Sequence, residues 1–141
     1  METLKHIDLR TDPAARWYVK DETVQVTFAA EPGELASREG PNRYAAGDAI
    51  VTGATGDRWV VSRERFDARY LPVAPGVYRN RPVPVLVREM AQAFAIERSA
   101  GGDVLTGKPG DWLMQYGPGD YGITERARFE AVYRPAADPA A

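Results

Sequence analysis

Residues 46–73 read AGDAIVTGATGDRWVVSRERFDARYLPV, and residues 109–136 read PGDWLMQYGPGDYGITERARFEAVYRPA. The two stretches align without a gap at an offset of 63, with 10 identities in 28 positions. Chance gives about two, and self-similarity at a fixed spacing is the signature of an internal repeat. The pairs include Asp48/Asp111, Asp57/Asp120, Arg63/Arg126, Phe66/Phe129, Tyr70/Tyr133 and Pro72/Pro135. One sequence thereby becomes a two-member alignment, and each copy helps to read the other.

The local pattern inside each copy is β followed by a short helix. Ala49–Thr52 and Trp59–Val61 flank Gly53–Asp57, a run of turn residues that predicts a hairpin. Ser62 and Glu64 predict a helix start, and Phe66 and Tyr70 share one helical face until Leu71-Pro72 ends it. In the second copy Thr124 takes the cap position and Glu125 opens the turn, with Phe129 and Tyr133 as the aromatic pair and Pro135 as the stop. Upstream, Arg16–Lys20 and Thr23–Phe28 alternate as strands; Leu35–Glu39 predicts another, turned by Gly40-Pro41-Asn42.

Val85–Arg98 is ambiguous. Leu86, Met90, Ala93 and Phe94 fall at helical spacing, and Gly101-Gly102 suits a helix end. An offset of 61 instead aligns Trp17 with Tyr78, Val24 with Val85 and Val26 with Val87, and the matching stretch of copy one holds Pro32-Gly33, which a helix interior rejects. The alignment favours strands over Pro84–Glu89 and Phe94–Arg98.

The expected fold is therefore α+β and mostly β: two tandem repeats, each a β-meander plus a short helix, packed as a pseudo-twofold unit. The expected divisions are an N-terminal arm over 1–15, repeat 1 over 16–73, repeat 2 over 74–136 and a disordered tail over 137–141. A chain of this length buries roughly 68–70% of its unfolded surface, whereas a lone copy would be marginal.

Composition narrows the function classes. The 141 residues contain no cysteine and one histidine, His6. Thiol chemistry is excluded, and a His/Cys zinc site or a Ser-His-Asp triad is disfavoured. No metal or cofactor is expected. A net charge of −2 with both signs dispersed argues against nucleic acid. No apolar run reaches 18 residues and the first residues lack a signal peptide's apolar stretch, so the expectation is a cytoplasmic monomer or homodimer away from membranes.

Two motifs imitate nucleotide sites. Gly117–Gly122 fits G-x-G-x-x-G, but too few residues follow for a βαβ unit. Gly102–Lys108 approaches a phosphate loop but lacks the Ser or Thr after the lysine. Asp48, Asp57, Asp111 and Asp120 recur at Gly-Asp turns, where each aspartate would bond its own turn; the alternative is a carboxylate pair or cation site across the copies.

Asymmetry between the copies is the functional signal. Copy two has Trp112, Tyr116, Pro118, Tyr121 and Gly122 where copy one has Ala49, Gly53, Thr55, Arg58 and Trp59. The added rings fill the core between the copies or form a contact surface, since aromatic residues supply area at low entropic cost. Trp112, Tyr116, Asp120, Tyr121 and Arg126 are the candidate ligand or partner contacts.

The run PGDWLMQYGPGDYGI followed by RFEAVY resembles the PGDYG protein family, a small bacterial group named for the pentapeptide found here at Pro118–Gly122. RPVPVLV (Arg81–Val87) and GGDVLTGKPGDW (Gly101–Trp112) carry the resemblance upstream, over roughly Tyr78–Arg134. Small phage-encoded proteins with a GDW…F-E-x-x-Y pattern are similar to copy two. Copy one departs, with ATGDRW at the pentapeptide's place. The resemblance implies no particular activity.

The leading expectation is a non-catalytic binding or regulatory module with an aromatic contact surface on repeat 2 and a protein or small-molecule ligand. One alternative is an enzyme acting on a small anionic metabolite, with Asp120 or Glu125 as acid/base and Arg126 as anion clamp. A second is a phage–host conflict protein that binds a host enzyme.

Overall fold

The computed structural model describes residues 3–4, 7–37, 40–98 and 102–140. His6, Glu39, Gly101 and Ala141, which enter the sequence expectations, lie outside the described residues. In chain order the elements are β1 (Thr3–Leu4), a 3-10 turn (Leu9–Thr11), β2 (Arg16–Lys20), β3 (Thr23–Phe28), β4 (Gly33–Ser37), β5 (Gly40–Tyr44), β6 (Ala49–Thr52), β7 (Arg58–Val61), α1 (Arg63–Arg69) and β8 (Tyr70–Ala74). There follow β9 (Val77–Asn80), β10 (Pro84–Glu89), β11 (Phe94–Glu97), β12 (Val104–Gly107), β13 (Trp112–Gly117), β14 (Asp120–Thr124), α2 (Arg126–Val132) and β15 (Tyr133–Pro135). The fold is α+β and mostly β, and the ambiguous stretch from Val85 is strand.

The chain forms two compact units. A contiguous unit spans Asp21–Pro82, and a split unit joins Met1–Lys20 to Val83–Ala141. Each holds one five-stranded antiparallel sheet. In the contiguous unit the order is β7-β6-β3-β9-β8. In the split unit it is β14-β13-β10-β2-β15. The orders correspond strand by strand, with α1 and α2 at the same place in the sequence of elements.

The units therefore differ from the divisions expected at 16–73 and 74–136. β2 opens the first repeat in sequence but lies between β10 and β15. β9 opens the second but lies between β3 and β8. The reason is local. The Pro75-Gly76 turn, with Gly76 at φ +72, folds β9 straight back onto β8, and the ladder then satisfies the exposed edge of β3. Register also corrects the alignment of these two strands. Tyr78 pairs with Val24 and Tyr18 with Val85, so Tyr18, not Trp17, is the counterpart of Tyr78. A one-residue slip moves every side chain to the other face.

Each short helix covers one face of its sheet. In the contiguous unit, Phe66 and Tyr70 pack on Val24, Val26, Ala49 and Val51. In the split unit, Phe129 packs on Val85, Val87 and Met114. The stacked pairs Phe66–Tyr70 and Phe129–Tyr133 both have ring centroids 4.8 Å apart. Strand alternation sends one set of residues to the helix and the next set to the other face.

Three local expectations need correction. The chain leaves α1 at Tyr70 and extends at once into β8, so Leu71-Pro72 belongs to a strand rather than to a helix end. The cap of α2 is Glu125, not Thr124, and its side chain makes no capping bond; Ser62 does cap α1, accepting from the Arg65 N–H. Gly40-Pro41-Asn42 lies in β5, in a two-stranded pair with β4, where a proline is tolerated because the strand has an open edge.

Candidate functional site

The hairpin of β13 and β14 carries four of the five predicted contact residues. Gly117 faces Asp120 across a two-residue loop, Pro118-Gly119. Gly119 has φ +71, a left-handed value that glycine adopts without strain, as at the third position of a proline-led type II turn. The register shifts between Gln115 and Gly117, leaving Tyr116 as the extra residue of a bulge. Its ring turns back over Gly122, where a Cβ would stand 2.9 Å from the ring. The turn proline, the turn glycine, the buried tyrosine and the covered glycine each have a steric or packing reason.

The predicted residues do not converge on one pocket. Trp112 lies on the helix side, stacked on Phe129 with centroids 3.9 Å apart, and beside Tyr18 at 5.5 Å. Its Nε1 is buried without a hydrogen-bond partner among the described residues, so packing rather than hydrogen bonding places the indole. Tyr121 lies on the opposite face, 4% exposed among Leu9, Leu86, Phe94, Ile96 and Leu113. Its hydroxyl donates to the Ile7 carbonyl. Burial raises the Tyr121 pKa above the ordinary tyrosine value, with the Asp8 charge adding to it.

Tyr116 and Asp120 are the exposed members of the hairpin. Tyr116 is 57% exposed. The Asp120 carboxylate has no hydrogen-bond or ionic partner among the described residues, whereas its relatives close their turns. Asp48 accepts from the Ala45 N–H and Asp111 from the Lys108 N–H, each at 2.9 Å, and Asp57 accepts from the Thr55 hydroxyl. Arg126 bonds Glu130 one turn along α2 at 3.1 Å, and that carboxylate raises its pKa. Arg63 and Asp67 repeat the same pairing on α1. Glu125 is exposed at the helix start. No group of three or more His, Cys, Asp or Glu side chains suited to a metal ion occurs among the described residues.

These positions match the pattern of a known family. The family model described as "PGDYG protein" matches residues 40–134. The chain belongs to the PGDYG protein family. No curated protein and no solved structure matches it. Within this PGDYG chain the match runs across both units, so the family pattern covers strands that precede the pentapeptide as well as the hairpin that contains it. Among the described residues no helix is long and apolar enough to cross a membrane.

Sequence reasoning missed a polar network in the contiguous unit. Glu22 is 1% exposed; its Oε2 accepts from the Ala54 N–H at 2.9 Å, and its own N–H donates to Asn80 Oδ1 at 2.9 Å. The side chains of Trp59 and Asn80 hydrogen-bond the Tyr70 hydroxyl. Desolvation pushes the Tyr70 pKa up, more strongly than these donors pull it down, and the Glu22 charge adds to the rise. The available signal was Glu22 standing next to an alternating strand, where an acidic residue reads as exposed. Only the return of β9 brings Asn80 alongside it.

Proposed function

We propose that this PGDYG-family protein is a non-catalytic binding module whose partner contact is the tip of the β13–β14 hairpin. The observation that carries the reading is the exposed Tyr116 ring, held over Gly122 by the bulge, next to a hairpin start at Asp120 whose carboxylate has no partner among the described residues. A ring fixed by its own strand loses little conformational freedom on contact, which is the economy that favours tyrosine at binding surfaces. Tyr121 is buried beside the tip, and Trp112 lies at the far end of the hairpin, stacked on Phe129. Arg126 faces Glu130 one turn along α2, which weighs against the enzyme reading's use of it as anion clamp.

Capture from lysate with immobilised protein tests the proposal. Wild-type protein is expected to retain a partner that Tyr116→Ala and Asp120→Ala release, with circular dichroism and melting unchanged in both variants. Retention of the same partner by both variants would overturn the proposal. So would an unfolded Tyr116→Ala accompanied by retention in Asp120→Ala.

A further inference from the structure

The sheet faces turned away from the helices differ between the two units. In the split unit that face carries Leu86, Leu113, Gln115 and Tyr121, and the segment before β2 lies on it. Leu9 packs against Leu86, Leu113 and Tyr121. The Leu9 N–H donates to Gln115 Oε1 at 2.7 Å, and Arg88 bonds Asp12 at 2.7 Å. Strand register assigns the counterparts in the contiguous unit: Gln25 for Leu86, Ile50 for Leu113, Thr52 for Gln115, Arg58 for Tyr121 and Thr27 for Arg88.

In the contiguous unit no arm precedes the corresponding strand, because β9 follows the Pro75-Gly76 turn directly. The face holds a cavity of about 420 Å³ lined by Gln25, Thr27, Ile50, Thr52, Arg58 and Gly76, among others. That volume is within the range of small-molecule sites, roughly 300–1,000 Å³. The side chains of Gln25, Thr27, Thr52 and Arg58 have no hydrogen-bond or ionic partner among the described residues. They offer a guanidinium fork, an amide and two hydroxyls. No acidic side chain lines the cavity. Arg79, opposite Thr23 in the ladder, adds a second cation to the same face.

We infer that this cavity binds a small organic oxyanion, a phosphate ester or a polycarboxylate, with Arg58 as its charge partner. A guanidinium pairs such groups through two parallel hydrogen bonds. An apolar peptide is the poorer fit. The partners that receive Leu9 in the split unit are Leu86, Leu113 and Tyr121, and two of the three counterparts here are Gln25 and Arg58. This site is in the other unit from the hairpin tip and does not depend on it.

Amide chemical shifts of the full chain test the inference, with glycerol phosphate, citrate and a peptide of residues 3–12 titrated separately. Glycerol phosphate or citrate at low millimolar concentration is expected to move the amides of Thr27, Thr52, Arg58 and Gly76. Whichever of the two acts names the oxyanion. Arg58→Gln is expected to weaken that binding about tenfold or more, with Arg58→Lys between, at unchanged melting temperature. The inference is overturned if neither anion moves these amides, or if Arg58→Gln leaves the binding as it was. It is also overturned if the peptide alone moves them, or if they move with protein concentration in the absence of anion, which would mark a second copy as the occupant.

Discussion

The two units solve the same packing problem with their rings in exchanged places. Across β3 and β6 the helix-facing pair is Phe28 and Ala49, and across β10 and β13 it is Glu89 and Trp112. Phe28 meets Phe66 edge-on at 5.5 Å, while Trp112 stacks on Phe129. Farther along, Trp59 covers Gly53 in one unit and Tyr116 covers Gly122 in the other. Each hairpin keeps one ring and one glycine, and only the strand that supplies the ring changes. The aromatic gain read in the second repeat is therefore largely an exchange across strands. Position-by-position alignment cannot see this, because a core conserves filled volume rather than the strand that fills it. What the exchange does alter is exposure. Trp59 stands beside the buried Glu22 network, and Tyr116 stands at the surface.

The comparison breaks most sharply at the borrowed strands. Residues 21–82 contain every strand of their sheet, so this fragment is expected to unfold cooperatively on its own. Residues 83–141 lack β2, the strand between β10 and β15, and are expected to fold only when a peptide of residues 1–20 is added. Circular dichroism and amide spectra of the two fragments check this. An independently folded 83–141 would show that β2 is dispensable and would undo the correspondence of the sheets.

The paired aromatic seams sharpen it next. Phe66 and Phe129 are 1% and 2% exposed. Truncation of either to alanine is expected to cost about 3–5 kcal/mol in denaturant unfolding, the range for a buried phenylalanine. Phe129→Ala should cost the more, because Phe129 lies between two stacked rings, Trp112 and Tyr133, and Phe66 has one. The reverse order would mean that edge-on neighbours such as Phe28 and Tyr78 support a ring as well as stacked ones do.

The smallest effect is a matter of pH. Tyr70 has its folded pKa raised above the ordinary 10.0 by burial. The neutral form is favoured in the folded state, so this contribution is fully present below pH 10.0 and is lost as pH rises through the folded value. Wild-type stability is expected to fall as pH rises from 10.0 towards the folded value, and Tyr70→Phe to flatten the fall at a cost of about 1 kcal/mol near neutrality for the lost hydrogen bonds. Urea unfolding between neutral and strongly alkaline pH measures both. An unchanged alkaline slope in the variant would assign the loss to another group.

Much of this architecture was legible because its causes are local. Gly-Asp turns lead into β6 and β13 and recur in the hairpins those strands begin, and two of the four aspartates bond the backbone of their own turn. The aromatic pairs one turn apart became the stacked pairs of α1 and α2. The strand reading of Pro84–Glu89 followed from comparing copies when propensity pointed to a helix. The candidate contact surface was half legible. Residue type marked Trp112, Tyr116 and Tyr121 together, but alternation along β13 and β14 puts Trp112 and Tyr121 on opposite faces, and the bulge sends only Tyr116 outward.

The amino-acid sequence by itself determined the strand-rich class, the two hairpin-and-helix segments and the family, because periodicity, turn chemistry and a pentapeptide are all short-range properties. Tertiary structure alone decided which sheet β2 and β9 join, that Glu22 is buried against Asn80, and that one sheet face is covered by the arm while its counterpart holds a cavity. Those outcomes depend on hydrogen-bond partners distant along the chain. An open strand edge accepts whichever strand the connecting turn delivers to it, and no local pattern records that choice.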